Sequence, residues 1–253
     1  MRRLPRRLSY GEEATLVEHL EELRSRLIVC VLALAVAFPI AYIFHEQLIE
    51  ALIRLLPEDR ELVTLGVAEP FTTALKVSFY ASLALAFPVL VWQAWSFFAP
   101  AVHERSQRIV ARFVALATVL FVGGMAFAYF IILPRALDFL TNYDEELYRV
   151  DIRASYFLSF VALMIFATGL VFQLPIFILA LVRLGVLSSA QLRANRRVGI
   201  VVLLSLAILL PTVDPVSLAL EVVPLLVLFE LSIWLSVIFE RRWHAAEARL
   251  APE

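Results

Sequence analysis

Residues 156–184 read YFLSFVALMIFATGLVFQLPIFILALVRL, and the only charged side chain among them is Arg183. A helix needs about 20 mostly apolar residues to cross a hydrocarbon layer roughly 30 Å thick. The apolar residues are continuous rather than alternating, so strands are not expected. In lipid the backbone groups must bond one another, and helix is the form that satisfies them within one segment. Working outward, five more apolar runs follow the same rule: Leu27–Phe44, about Val77–Phe98, about Ile109–Leu133, Val198 to about Leu210, and Val216–Phe239.

Composition agrees with these runs. The chain has 253 residues, 62% of them hydrophobic and only 18% charged, against roughly 25% charged in an average soluble domain. The expected fold is therefore all-α, a polytopic membrane bundle of six transmembrane helices forming a single membrane domain. Residues 1–26 form an amphipathic N-terminal segment, 27–239 the bundle and 240–253 a tail. The last two spans are expected to be short, joined by a tight turn whose Pro211 and Pro215 flank Asp214. Thirteen residues in the fifth run cover about 20 Å, so either the bilayer thins there or the hairpin dips in without a full crossing.

Arginine placement sets the expected orientation. Six spans would put the N-terminal tail, the second and fourth loops and the C-terminal tail on one side. That side holds Arg2, Arg3, Arg6, Arg7, Arg24, Arg26, Arg105, Arg108, Arg112, Arg183, Arg193, Arg196, Arg197, Arg241, Arg242 and Arg249, sixteen of the 22 basic residues. Both termini are thus expected in the cytoplasm. Glu12, Glu13, Glu18, Glu21 and Glu22 before the first run argue against a cleaved signal peptide. The net charge of −1 indicates no partner class, and Cys30, the one cysteine, excludes an intrachain disulfide.

The loops carry some pattern. In HEQLIEALIRLL, beginning at His45, Leu48, Ile49, Leu52 and Leu55 or Leu56 recur at helical spacing, so this segment is expected to lie on the membrane surface or cap the bundle. Acids at Asp138, Asp144, Glu145, Glu146 and Asp151 suit a solvated cap over 134–153. The N-terminal LVEHLEELRSRL reads as an amphipathic helix entering the first span, with Leu16, Leu20, Leu23 and Leu27 on one stripe.

Enzyme signatures are missing: no H-E-x-x-H, no Walker-type glycine loop, no G-x-S-x-G. His19, His45, His103 and His244 have no zinc-ligand spacing. The informative residues are polar groups within apolar runs. Gln173 with Pro175 in the fourth run either satisfies backbone groups at a kink or serves a function. Glu221 either reaches the interface near Asp214 or, like Glu230, faces a bundle interior. The Gly123–Gly124 pair fits close helix packing.

HLEELRSRL at 19–27 resembles the N-terminal signature of the TatC family, the multispanning receptor subunit of the twin-arginine protein translocase. EPFTTALK at 69–76 is similar to the family's outer-loop P-F-x-x-x-x-K element. FPVLVWQAWSFFAP at 87–100, GGMAFAYFIILPRALDFL at 123–140, FQLP, LVRLGVLS and LLPTVDPVSLALEVVPLLVLFELSI follow in the family's order. The resemblance covers nearly the whole chain. It implies a prokaryotic inner-membrane protein with both ends inside, and it implies no enzyme activity and no cofactor, metal or nucleic acid.

It also implies a function: binding the twin-arginine signal peptides of folded cargo, self-association, and assembly with single-span TatA and TatB partners for export driven by the proton-motive force. By motif position the signal-peptide residues are Glu22, oriented by Arg24, and Phe97. Gln173 falls where relatives carry Glu or Gln, and Asp214 on the family acid of the last outer turn. Relatives place a glutamate six residues after the proline matching Pro100; here that position is Ser106, and the nearby acid is Glu104. Two helical positions differ by roughly 200°, so Glu104 can substitute only if that loop is not regular helix. The alternative from another class is a small secondary transporter with a polar site at mid-membrane, although no inverted repeat relates residues 27–133 to 156–239.

Overall fold

The computed structural model describes residues 16–57, 60–98, 107–143, 151–183, 185–211 and 214–250. Helix α1, Leu16–Ile43, is continuous, so the amphipathic segment and the first span are one rod. After α2 (His45–Ile53) and a two-residue strand β1 (Leu62–Val63), α3 runs Glu69–Phe98. Helix α4, Gln107–Phe127, passes through a π-helical segment, Ala128–Ile132, into α5, Leu133–Asn142. Strand β2 (Ile152–Arg153) leads into α6, Ala154–Val171, and α7, Leu174–Arg183. The short α8, Ser189–Ala194, precedes α9, Arg196–Leu209, and α10, Pro215–Leu250.

Among the described residues, five helical segments are long and apolar enough to cross a membrane: His19–Ile43, Glu69–Phe97, Val110–Asn142, Ala154–Arg183 and Pro215–Glu240. Helix α9 has 14 residues, about 21 Å at the standard rise, and is short as expected. The sixth span corrects the expectation of shortness: α10 is unbroken for 36 residues, 26 of them in its membrane-type segment. The third apolar helix also extends further than its apolar run, because Ala136, Leu137 and Thr141 of α5 turn inward and are buried. Part of the 134–153 segment is thus core rather than solvated cap.

Leu52 and Leu137 join Val77, Ile132, Phe157 and Val161 in the main core. Leu48, Ile49, Leu55 and Leu56 pack onto the same cluster, so α2 caps the bundle, one of its two expected roles. The Tyr129 hydroxyl donates to the Ala51 carbonyl at 2.8 Å, tying α2 to the π-helical segment. Strands were not expected at all. Leu62 pairs with Ile152 and Val63 with Arg153, in parallel, lacing two long loops together. Such a pairing depends on chain positions about 90 residues apart, which no local pattern signals.

Close packing of α4 on α6 rests on two glycines. A Cβ at Gly124 would lie 2.7 Å from Phe172 Cγ, and one at Gly169 2.9 Å from the Phe121 ring. Gly123 has nothing within 4 Å of such a Cβ, so only half of the expected pair is a packing site. Phe121 in turn stacks on Phe87 of α3, with centroids 3.9 Å apart. A smaller core of Ile178, Leu203, Phe229 and Ile233 joins α7, α9 and α10.

Candidate functional site

Where α1 begins and α3 ends, four side chains meet. Glu22 and Arg26 are four residues apart on one face of α1, the spacing at which helical ion pairs form. Arg26 Nε donates to Glu22 Oε1 at 3.1 Å, and Nη2 reaches the same oxygen. The guanidinium also donates to the carbonyls of Ser96 at 2.9 Å and Gln93 at 3.5 Å, on the last turns of α3. Arg26 is therefore a clamp between two helices as well as the partner of Glu22. The two side chains are 22% and 26% exposed. No bond to Glu22 Oε2 is found among the described residues.

One turn before Glu22, the His19 ring stacks on Phe97 with centroids 4.5 Å apart. Phe97 thus stands beside the carboxylate although the two are 75 positions apart in the chain. Trp95 stacks on Phe113 at 4.5 Å, fixing this end of α3 to α4. Arg24 is exposed, and it lines the apolar outer side of α1 with Leu20, Leu23 and Leu27. The expected orienting role belongs to Arg26 instead, because two positions along a helix point to opposite sides while four share a face. The i,i+4 spacing was available in the sequence as the signal. Glu104 and Ser106 lie outside the described residues.

At the other end of α3, a site that sequence reasoning did not single out is built on Glu69. Its Oε1 accepts from Arg153 Nε at 3.0 Å and from the Ser155 amide at 3.1 Å. Oε2 accepts from the Leu65 amide at 3.0 Å. The carboxylate is only 4% exposed. Arg153 also lies over the Tyr156 ring, 5.1 Å from its centroid, and the bond it donates to Glu69 holds the guanidinium pKa above its ordinary value. An acid next to a proline at the head of an apolar run was the one local hint, since acids favour a helix's first turn.

The polar residues inside the apolar helices have separate settings. Gln173 stands at the break between α6 and α7. Its own amide bonds the Leu170 carbonyl at 3.0 Å, leaving the Gly169 carbonyl without its usual helical donor. The Gln173 side-chain amide donates to that carbonyl at 3.4 Å and to the Ala117 carbonyl of α4 at 3.1 Å. Pro175, lacking an N–H, sits buried in the first turn of α7, where none is needed. Asp214 caps α10, accepting from the Ser217 amide at 2.7 Å and from the Ser217 hydroxyl.

Glu221 is 2% exposed, and neither carboxylate oxygen has a hydrogen-bond partner among the described residues. It is enclosed by the bundle, which overturns the reading that it reaches the interface. Glu230 pairs with Arg196 at 3.4 Å, each about two-fifths exposed. Among the described residues no hydrogen bond or ion pair joins these acids to Gln173.

The ordered motifs have counterparts in known proteins. The family model for the Sec-independent protein translocase protein (TatC) matches residues 18–224. The TatC protein of Escherichia coli K12 is 35% identical over 233 residues, covering 90% of each chain. That of Deinococcus radiodurans is 35% identical over 248 residues, covering 94% of this chain and 92% of its own. A crystal structure of the twin-arginine translocase receptor TatC in DDM superposes with a TM-score of 0.78 at 32% identity, covering 86% of this chain and 99% of that one. A second TatC crystal structure gives 0.75 at 33% identity, over 87% and 98%. Apolar helices and relatives together make this a multi-pass inner-membrane protein of bacteria. The chain belongs to the TatC family, and it is a component of the Sec-independent, twin-arginine protein translocase rather than an enzyme.

Proposed function

We propose that this chain is the receptor that binds twin-arginine signal peptides of folded cargo, and that Glu22 and Phe97 form the center of its binding site. The observation that carries this reading is the half-used Glu22 carboxylate: Arg26 engages Oε1, while Oε2 has no bond among the described residues. A carboxylate with a free oxygen can take a guanidinium through a charge-assisted hydrogen bond. Phe97, stacked on His19, places an aromatic group beside this carboxylate, the residue type that favours a neighbouring guanidinium. The arginine distribution supports a cytoplasmic position for this end of α1, with both termini inside. Glu104 supplies a second carboxylate in place of the glutamate missing at Ser106. The bound receptor then assembles with TatA- and TatB-like single-span partners, and the proton-motive force drives export.

The test is the affinity of the purified chain for a signal peptide with two adjacent arginines, against a double-lysine peptide. Binding that requires the arginines and falls in Glu22→Ala supports the receptor reading. A parallel fall in Glu104→Ala supports the substitute carboxylate. Equal weak binding of both peptides, unchanged by Glu22→Ala, would exclude this site as the arginine reader.

A further inference from the structure

The P-F-x-x-x-x-K element ends in Lys76, and that residue plays no part in the signal-peptide site. It is the only lysine in the chain, set against 21 arginines. It is exposed, and it has no ion pair or hydrogen bond among the described residues. Lys76 lines a cleft of about 550 Å³ between the first turns of α3 and α6, together with Thr72, Arg153, Ser155, Tyr156 and Ser159.

Charge in this cleft does not cancel. Among the described residues Glu69 is the one acid on its wall, and both of its oxygens already accept from Arg153, the Ser155 amide and the Leu65 amide. Two cations against this one anion leave a net charge of +1 among the described lining residues. Lys76 itself, with three donors and no acceptor, has nothing to bond. Ser159 adds a buried hydroxyl that has no partner among the described residues. The cleft therefore holds donors in excess and calls for a singly charged acceptor.

Depth decides what kind of acceptor. Lys76 directly precedes Val77, where the second apolar run begins, and Tyr156 opens the fourth. Tyr156 and Phe79 are 71% and 50% exposed, the amphipathic and apolar rings expected at a headgroup boundary. A lysine at such a level meets lipid phosphates, and a lysine reaches phosphate as a point charge on a flexible stem.

We infer that this cleft binds the phosphodiester headgroup of an anionic membrane phospholipid, with the Lys76 ammonium as its main contact and the Ser159 hydroxyl as a second donor. A zwitterionic headgroup brings its own cation against a cleft already positive, and is held less well.

Because Lys76 is the only lysine, an amine-reactive reagent reports on it at one side chain, resolved from the N-terminal amine by peptide mapping. The full chain is reconstituted in phosphatidylcholine vesicles with or without phosphatidylglycerol. Labelling is expected to slow about tenfold with phosphatidylglycerol, the scale of one charge-assisted contact, and to be indifferent to inorganic phosphate in the buffer. Native mass spectrometry of the chain released from the same vesicles separates a bound lipid from a general surface-potential effect. It should show phosphatidylglycerol retained by the wild type, with occupancy about tenfold lower in Lys76→Gln and reduced in Ser159→Ala. Equal occupancy in wild type and Lys76→Gln would overturn the proposal. So would protection by inorganic phosphate alone, which would make this a site for soluble anions.

Discussion

Helix α3 carries a carboxylate–arginine site at each end, about 45 Å apart at the rise of a 30-residue helix, and the two are built to opposite specifications. At its start Glu69 is 4% exposed, and both oxygens are spent on three donors from two other segments. At its end Glu22 of α1 is 26% exposed and uses one oxygen, on an arginine of its own helix that also grips α3. A carboxylate with three bonds on its about four acceptor sites and almost no exposed surface is closed to a ligand and holds the fold together. A half-used one, fixed in place by its neighbor, is available to read an incoming charge. The motif nearest each acid, EPFTTALK or HLEELR, does not reveal the difference; the count of occupied lone pairs does.

That contrast can be broken most severely at Glu69. Glu69→Ala strands the Arg153 guanidinium and two backbone amides, so it should give the largest fall in the unfolding midpoint in detergent of any variant named here. Glu69→Gln, which keeps the acceptor oxygen, should fall between it and wild type. If Glu69→Ala unfolds like wild type, the site is not a staple. Glu22→Ala should leave that midpoint nearly unchanged while weakening twin-arginine peptide binding about tenfold to a hundredfold, the equivalent of ~1.5–3 kcal/mol, as read by fluorescence anisotropy. A stability loss as large as that of Glu69→Ala would erase the distinction between the ends.

Phe97→Ala tests the aromatic neighbor on a smaller scale. Losing a ring contact worth about 0.5–1.5 kcal/mol should weaken the same peptide roughly twofold to tenfold, with the double-lysine control unaffected. Arg24→Ala sharpens the comparison from the side of no effect. Arg24 does not pair with Glu22, so affinity should change less than about twofold, the usual range for a surface substitution away from special features. A loss matching that of Glu22→Ala would restore Arg24 as the orienting residue.

How much of this was readable in the sequence depends on the range of the interaction. Runs such as 156–184 announce helices because lipid leaves few options, and α2 announced its inner face through Leu48, Ile49 and Leu52. The Glu22–Arg26 pair obeys i,i+4 spacing and was legible, yet the motif drew attention to Arg24. The Arg196–Glu230 pair was also within reach. The two residues are nearly equidistant from the turn at Pro211–Pro215, so an antiparallel hairpin brings them level. The Glu69 staple, the β1–β2 pairing and the enclosure of Glu221 depend on segments that meet only after the bundle closes, and no local periodicity encodes them.

The π-helical segment at Ala128–Ile132 has a consequence for sequence change in this region. A π-helical turn carries one residue more than an α-helical turn. Removing a single residue there would let the rod close into plain α-helix with nearly unchanged phase beyond it, because the shorter turn still completes about 360°. Ala136, Leu137 and Thr141 would keep facing the core, and Arg135 and Asp138 would stay outside it. The segment absorbs one residue without changing the phase of α5, and a single-residue deletion between 128 and 132 should be tolerated better than one in the α-helix on either side, which would turn everything beyond it by about 100°.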